Sequence, residues 1–414
     1  MRDGFVKVAS ATPKIRVADV EYNAGVISGI MAGAAQSGAK LLVLPELCIT
    51  GYTCGDLFLQ KTLLDGAEKA LLQLAAASAG TDMLTFVGLP LADAGRLYNC
   101  GAALWNGRIL GIVPKTNIPN YSEFYERRYF TGGSPSPRAI AAGGTAVPFG
   151  TQLLFANETV PELTVAAEIC EDLWVPSPPS AGHAMHGATV IVNLSASDET
   201  VAKDEYRRSL VSGQSARLVC GYIYTDAGAG ESTQDLVYTG HDLICENGVI
   251  LAEHNNCADI IYSELDLQRI DMERRRMGTF SAGSDGYQVI PWHCASAETA
   301  LTRRIEKTPF VPSDSTQRSR RCEKILSLQS LGLKKRMEHT GAKKAVVGVS
   351  GGLDSTLALI VCARVMDMLN RPRTDITAVT MPCFGTTKRT RGNAELLAEK
   401  LGAELATVDI AAAV

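Results

Sequence analysis

No run of this 414-residue sequence reaches the ~18 apolar residues that an α-helix needs to span a bilayer. Its start, Met1-Arg2-Asp3-Gly4-Phe5-Val6-Lys7, has no apolar signal core. A cytoplasmic protein without a membrane partner is expected. Positive charge is also short. The formal net charge of -4 gives no global field to collect phosphate backbones or anionic lipid, so nucleic acid is not an expected partner. The eleven cysteines contain no CxxC pair, and their odd number in a large chain argues against a disulfide framework and a structural zinc site. Internal repeats and low-complexity tracts are missing too. With 46% hydrophobic and 20% charged residues the chain is neither disordered nor fibrous, and its length calls for more than one domain.

What is present reads as α/β. Asp19 is placed to cap a helix through Val26, Ile30 and Ala34, with Gly38 beyond its end. Apolar strands are expected at 41–44, 85–89, 164–169, 189–194 and 221–225. The pairs Asn106-Gly107 and Asn247-Gly248 tolerate positive φ and suit type I′ hairpins, so some strands are antiparallel. Beyond a strand at 287–290 the chain turns polar, and residues 308–315 read as linker. A helix from about 321 to 339, with Ile325, Leu328 and Leu331 on one face, opens a second domain. A strand at 345–349, a glycine turn and another helix follow. The expected division is 1–292, a linker at 293–321, and 322–414.

Three apolar strands end in a reactive residue: Leu44-Pro45-Glu46, Val113-Pro114-Lys115 and Ile169-Cys170-Glu171. Attack on a carboxamide needs a thiolate, a group that shuttles its proton to the leaving ammonia, and a positive donor for the oxyanion. Cys170, Glu46 and Lys115 fill those roles, and the cation is expected to lower the thiol pKa. Singly, each residue is more often a core thiol or a solvated charge. The ordered set is not. PELCITGY, VPKTNIPNYSEFYERRYF, EICEDLW and NLSAS together resemble the nitrilase superfamily over residues 1 to about 292. That resemblance implies an αββα sandwich with catalytic Glu46, Lys115 and Cys170 between strand ends. It also implies that Glu123, eight residues after Lys115, positions the lysine. Tyr52 and Glu171 either hydrogen-bond the substrate's amide or α-amino group or serve only the fold, and Ser197 of NLSAS joins the supporting set.

The string Gly348-Val349-Ser350-Gly351-Gly352-Leu353-Asp354-Ser355-Thr356 joins a strand to a helix, where free N–H groups and the helix dipole favour an anion. The lysine of GxxxxGK[ST] is missing and GxGxxG is not met, so neither familiar glycine loop applies. SGGLDST resembles the loop of the N-type ATP pyrophosphatases. By that resemblance Ser350, Gly351, Gly352 and Ser355 cradle the pyrophosphate of ATP and Asp354 helps hold Mg²⁺. Residues 382–390 are similar to a second ATP-contacting segment. The family commonly has Ser where Lys388 stands, so that position is given no direct role.

A nitrilase-like domain followed by SGGLDST, the start of a doubly wound parallel α/β domain, resembles the glutamine-dependent NAD⁺ synthetases. The resemblance implies glutamine, nicotinic acid adenine dinucleotide and ATP as substrates, NAD⁺, AMP and pyrophosphate as products, and a homo-oligomer. Asparagine synthetases carry their nucleophilic cysteine directly after Met1, where this chain has Arg2, and GMP synthetases resemble neither PELCITGY nor EICEDLW. Two other readings are a free-standing carbon–nitrogen hydrolase and a nucleotide-sensing module without turnover. Glutamate release separates the last from the others. Because the sequence stops soon after the strand expected at 403–409, the polypeptide alone is expected to hydrolyse glutamine without forming NAD⁺. His183 and His186, without a third ligand, and Arg274-Arg275-Arg276, in an acidic chain, read as solvated.

Overall fold

The computed structural model describes residues 3–231, 235–255, 260–280, 283, 285–382 and 388–410. Residues 383–387 and the side chain of Lys388, part of the expected second ATP-contacting segment, lie outside the described residues. The chain divides into two compact units, Met1–Arg304 and Ile305–Val414.

In the first unit, the pleat sends alternate apolar residues to opposite faces of each strand, so a strand that is apolar on both faces must be covered twice. Leu41–Val43 shows the result. Leu42 packs with the helices Val20–Gln36 and Lys61–Ala77, while Leu41 and Val43 face a second sheet. The first sheet has eight strands, in the order Ile260–Asp266, Phe5–Ala11, Leu41–Val43, Leu84–Asp93, Arg96–Trp105, Arg108–Pro114, Thr145–Phe149 and Arg138–Ala142. The second has seven: Val249–Asn255, His241–Glu246, Gly221–Thr225, Val190–Leu194, Thr164–Ile169, Leu153–Asn157 and Gln288–Trp292. Its outer face is covered by the helices Pro179–Met185 and Lys203–Leu218. The architecture is an αββα sandwich. Each fully buried Val, Leu or Phe of the inter-sheet layer contributes roughly 1.5–3 kcal/mol.

Local signals explain the frame. The Asp19 carboxylate accepts from Tyr22 N at 3.2 Å, and both Asn-Gly pairs sit at positive φ between antiparallel strands. Leu41–Val43 and its neighbours Phe5–Ala11 and Leu84–Asp93 run parallel, as do Thr164–Ile169, Val190–Leu194 and Gly221–Thr225. Carboxyl ends of several strands therefore gather at one edge of the sandwich, the usual place for a site in parallel sheets.

Part of the stretch read as linker belongs to this first unit. Thr302 N and Arg303 N each donate to Glu264 at 3.0 Å, and the Arg303 guanidinium pairs with Glu246. The first helix of the second unit is Ser315–Thr340, capped by Asp314 and ended by Gly341 at φ 70°. It starts earlier than expected because its first turns are polar on every side and carry no apolar period. A three-stranded parallel sheet follows, Ala345–Gly348, Ile376–Thr380 and Glu404–Thr407, with the helices Leu353–Met368 and Lys388–Leu401 in the connections. Among the described residues no helix is long and apolar enough to cross a membrane.

Candidate active site

The strand Thr164–Ile169 ends at Cys170, a non-glycine residue at φ 44° and ψ -100°. Such a conformation costs on the order of 1–3 kcal/mol and persists only where the surroundings impose it. Buried Asp172 supplies part of that constraint. Its carboxylate accepts from Ile169 N (3.0 Å), Thr116 N (3.2 Å), Asn117 N (2.8 Å) and Asn117 Nδ2 (2.8 Å), tying the cysteine turn to the loop that follows Lys115.

Glu46 lies in the turn after Leu41–Val43, where Leu47 takes φ 51°. Lys115 directly follows the strand Arg108–Pro114, and its N–H continues the ladder to Asn99 O at 2.8 Å. The Lys115 ammonium donates to Glu46 Oε1 at 2.7 Å and to Glu126 Oε1 at 2.6 Å, all with buried side chains. Two of its three donors are used on these carboxylates. Asn99 Nδ2 donates to Glu46 Oε1 at 2.6 Å and to Glu126 Oε2 at 3.4 Å, while the Tyr52 hydroxyl donates to Glu126 Oε1 at 2.9 Å. Among the described residues Glu46 Oε2 is buried with no hydrogen-bond partner. A carboxylate oxygen in that state is costly unless it has a task.

Burial raises the Glu46 carboxyl from its ordinary 4.5 to about 7, against the pull of Lys115. For Lys115, burial works against the ammonium, but Glu126 and Glu46 outweigh it and hold the group well above the usual lysine range. Burial and then the Glu46 carboxylate push the Cys170 thiol well above its ordinary value. Lys115 draws it down and does not prevail. The cation thus acts in the expected direction, but burial and the Glu46 carboxyl, itself raised to about 7, outweigh it.

Glu123 does not bond the lysine; Glu126 does, in the short turn Glu126–Arg128. Glu123 instead lines a 100 Å³ cavity with Tyr52, Glu126, Tyr129 and Tyr238. The irregular loop after Lys115 has no period from which to count a partner, although a carboxylate in YERRYF was the available signal. Tyr52 is placed by Glu231, whose carboxylate accepts from the backbone N–H of Tyr52 at 2.6 Å and Thr53 at 3.0 Å. Glu171 accepts from the Tyr121 hydroxyl at 2.9 Å and, with Thr116, Tyr121 and Arg127, lines a 710 Å³ cavity. Ser197 is buried; its N–H donates to Asp226 Oδ1 at 2.7 Å, and Arg207 reaches its hydroxyl at 3.3 Å. Asp172, Asn99 and Glu126 are the site residues that sequence reasoning missed.

In the second unit, Ser350–Ser355 connects Ala345–Gly348 to the helix Leu353–Met368. Ser355 Oγ accepts from Ser350 N at 3.3 Å and donates to Gly352 O at 3.1 Å. Gly351 takes φ 79°, and a Cβ there would sit 2.2 Å from Thr390 O. Gly352 at the N-cap brings no side chain to the first N–H groups, so the helix start is open to an anion. A 360 Å³ cavity lined by Val349, Ser350, Thr380, Met381, Thr390 and Arg391 lies at the carboxyl ends of the strands. Asp354 is exposed in the first helical turn.

Among the described residues no group of three His, Cys, Asp or Glu could hold an ion. His183, read as solvated, is buried with Nδ1 2.9 Å from the Tyr287 hydroxyl, and His186 stacks on that ring. Arg275 and Arg276 are exposed, as expected, and pair with Asp271 and Glu273 along their own helix. Arg274 turns inward and donates to the carbonyls of Val219, Ala188 and Leu218, capping the end of Lys203–Leu218.

An αββα sandwich with a thiol, a carboxyl and an ammonium buried together at its strand ends has the architecture of the nitrilase-type amidohydrolases. The carbon–nitrogen hydrolase family model matches residues 7–275, and the chain belongs to that family. The NAD synthase model matches residues 325–414. Curated proteins named glutamine-dependent NAD(+) synthetase are similar over 98% of this chain, at 40% identity in Mycobacterium tuberculosis and 39% in Mycobacterium leprae. The chain spans 62% of the length of each. Among solved structures, a glutamine-dependent NAD(+) synthetase from Cytophaga hutchinsonii is 23% identical with a TM-score of 0.58, covering 99% of this chain and 66% of that one. A carbon–nitrogen hydrolase from Helicobacter pylori, 18% identical with a TM-score of 0.54, covers 66% of this chain and 93% of its own. These two likenesses concern the fold.

Proposed function

We propose that the chain acts in a glutamine-dependent NAD⁺ synthetase, a cytoplasmic homo-oligomer, with the hydrolase in the first unit, Met1–Arg304, and the nucleotide-binding part in the second, Ile305–Val414. The observation that carries the hydrolase half is buried Glu46, one oxygen on Lys115 and the other without a partner among the described residues, with its charge acting on Cys170. Glutamine enters with its α-amino group on Glu171 and its carboxamide at Cys170, with Ser197 supporting the pocket. Glu46 takes the thiol proton as sulfur attacks the amide carbon, and the remaining donor of Lys115 stabilises the oxyanion. The C–N bond breaks, Glu46 returns the proton to nitrogen, and ammonia leaves a thioester on Cys170. Water, deprotonated by Glu46, attacks the thioester; glutamate departs and the thiol is restored. Tyr52 acts on Glu126, and Glu126 holds Lys115 in register.

The relatives' name, together with the loop at 350–355, supports the second half: ATP-dependent amidation of nicotinic acid adenine dinucleotide to NAD⁺, with AMP and pyrophosphate as the other products. The open helix start fits a pyrophosphate held by Ser350, Gly351, Gly352 and Ser355. Asp354 is the acidic residue of that turn and would help hold Mg²⁺, which would neutralise phosphate charge there. Coupling the two reactions in one protein keeps ammonia from being protonated in bulk water.

The test follows glutamate release and transfer of ¹⁵N from the glutamine amide into NAD⁺ in the protein that carries this chain. Cys170→Ala abolishes both with glutamine and leaves the fold intact, since it removes the nucleophile and little volume. Wild-type glutamate release by this variant would exclude Cys170. Asp354→Ala weakens Mg²⁺-ATP binding in calorimetry while glutamate release persists; unchanged affinity removes Asp354 from the site. Glutamate release with no ¹⁵N transfer favours the free-standing hydrolase.

A further inference from the structure

The strained backbone of Cys170 is held by groups that the proposed reaction does not use. Its N–H donates to Leu194 O at 3.0 Å and to Asn193 Oδ1 at 3.2 Å. Asn193 Oδ1 also accepts from Ser195 Oγ at 2.7 Å, and Asn193 Nδ2 donates to the Tyr222 hydroxyl at 3.1 Å. That hydroxyl donates to Glu168 Oε1 at 2.5 Å, while Glu168 Oε2 accepts from Ser180 N at 2.8 Å. Glu168, Asn193 and Tyr222 sit on three adjacent parallel strands and are at most 1% exposed.

Direction is built into this chain. Both Glu168 oxygens accept here, Oε1 from the Tyr222 hydroxyl and Oε2 from Ser180 N, and this pairing fixes the way the Tyr222 O–H points. The phenol oxygen then receives the Asn193 amino group, which leaves the Asn193 carbonyl facing Cys170 N. Each donor points toward Glu168, and in a buried chain such bonds polarise one another. Reversing one member would strand a donor or acceptor away from water, at a cost comparable to the strain being held. Burial and the neighbouring Glu168 carboxylate keep the Tyr222 phenol well above its ordinary pKa, so it remains a donor.

We propose that Glu168, Tyr222 and Asn193 form a positioning relay that clamps the Cys170 elbow, with Asn193 setting both the nucleophile's backbone and, through Ser195, the adjoining loop. The proposal rests on the reading of Cys170 as the nucleophile. None of the three residues touches substrate in the proposed mechanism.

The experiment compares wild type, Tyr222→Phe, Asn193→Ala and the double variant in the full chain. Glutamate release gives kcat and KM, iodoacetamide alkylation of Cys170 gives a readout that needs no glutamine, and circular dichroism verifies the fold. Tyr222→Phe lowers kcat about tenfold and Asn193→Ala about a hundredfold, with KM changed less than about threefold. The double variant is no slower than Asn193→Ala, because a relay broken once is already broken. Alkylation slows in the same order. Should Asn193→Ala not fold, Tyr222→Phe with Glu168→Gln gives the same cycle. Additive losses, or a folded Tyr222→Phe with unchanged kcat and alkylation, overturn the relay. A wild type that releases no glutamate but shows the alkylation series retains the relay and sinks the substrate reading.

Discussion

Lys115 carries one positive charge between two buried carboxylates, and its balance sets the chemistry of Cys170. Removing a carboxylate shifts that balance in a direction that can be measured. Glu126 raises the Cys170 pKa, so Glu126→Gln lowers it and speeds alkylation of Cys170 near neutral pH. The same change loosens Lys115 and slows glutamine hydrolysis, by about ten- to a hundredfold if the lysine is the oxyanion donor. Glu123→Gln leaves both rates within about twofold, since Glu123 does not bond the lysine. Alkylation kinetics and glutamate release on the two variants decide the matter; equal losses would restore Glu123 to the site. Glu46, Lys115 and Cys170 were legible because each ends an apolar strand, and strand ends of parallel sheets converge. Glu126 was not, because its loop is irregular and a buried carboxylate there reads like any solvated one.

At the scale of elements, Gly88 fixes how closely the strand Leu84–Asp93 can approach the Glu46 turn. A Cβ at position 88 would stand 2.3 Å from both Leu47 N and Pro45 O, backbone atoms that cannot rotate away. Gly88→Ala therefore shifts the Glu46 turn, and misplacing a proton shuttle by about 1 Å is enough for a rate loss on the order of a hundredfold. The expected outcome is a larger fall in kcat than in thermal stability, read from glutamate release and a melting curve. Wild-type kcat would show that the turn does not position Glu46. The strands at 164–169 and 221–225, the Asn-Gly hairpins and the Asp19 cap followed from local signals that packing did not override. Ser315–Thr340 was clipped at its start, and Arg274 was misread, because a polar helix end and a buried guanidinium bonded only to carbonyls differ from solvated residues in tertiary context alone.

Across the whole hydrolase unit, burial raises several carboxyls above their ordinary range. Asp242 is pushed up to about 8, Glu46 and Glu168 to about 7, and Asp226 to about 6, burial being the largest cause for each. A carboxyl whose folded pKa is raised holds a proton that the unfolded chain has lost, so its stabilising effect fades as pH rises through the folded pKa. Two histidines act oppositely: burial lowers His183 to about 4 and also lowers His241, so they lose stability as pH falls below about 6.5. Between pH 6.5 and 8 the carboxyls act alone among these groups, at up to about 1.4 kcal/mol per pH unit for each retained proton. All three tryptophans, Trp105, Trp174 and Trp292, lie in this unit, so their fluorescence reports its melting specifically. The melting temperature is expected to fall by several degrees from pH 6.5 to 8. Asp242→Asn keeps an acceptor for Thr12 Oγ1 and Asp226 N, mimics the protonated side chain, and flattens part of that fall while raising stability at pH 8. A melting temperature that rises with pH over this interval, or a variant with the wild-type slope, would mean that Asp242 is ionised in the folded protein and that another interaction offsets its burial.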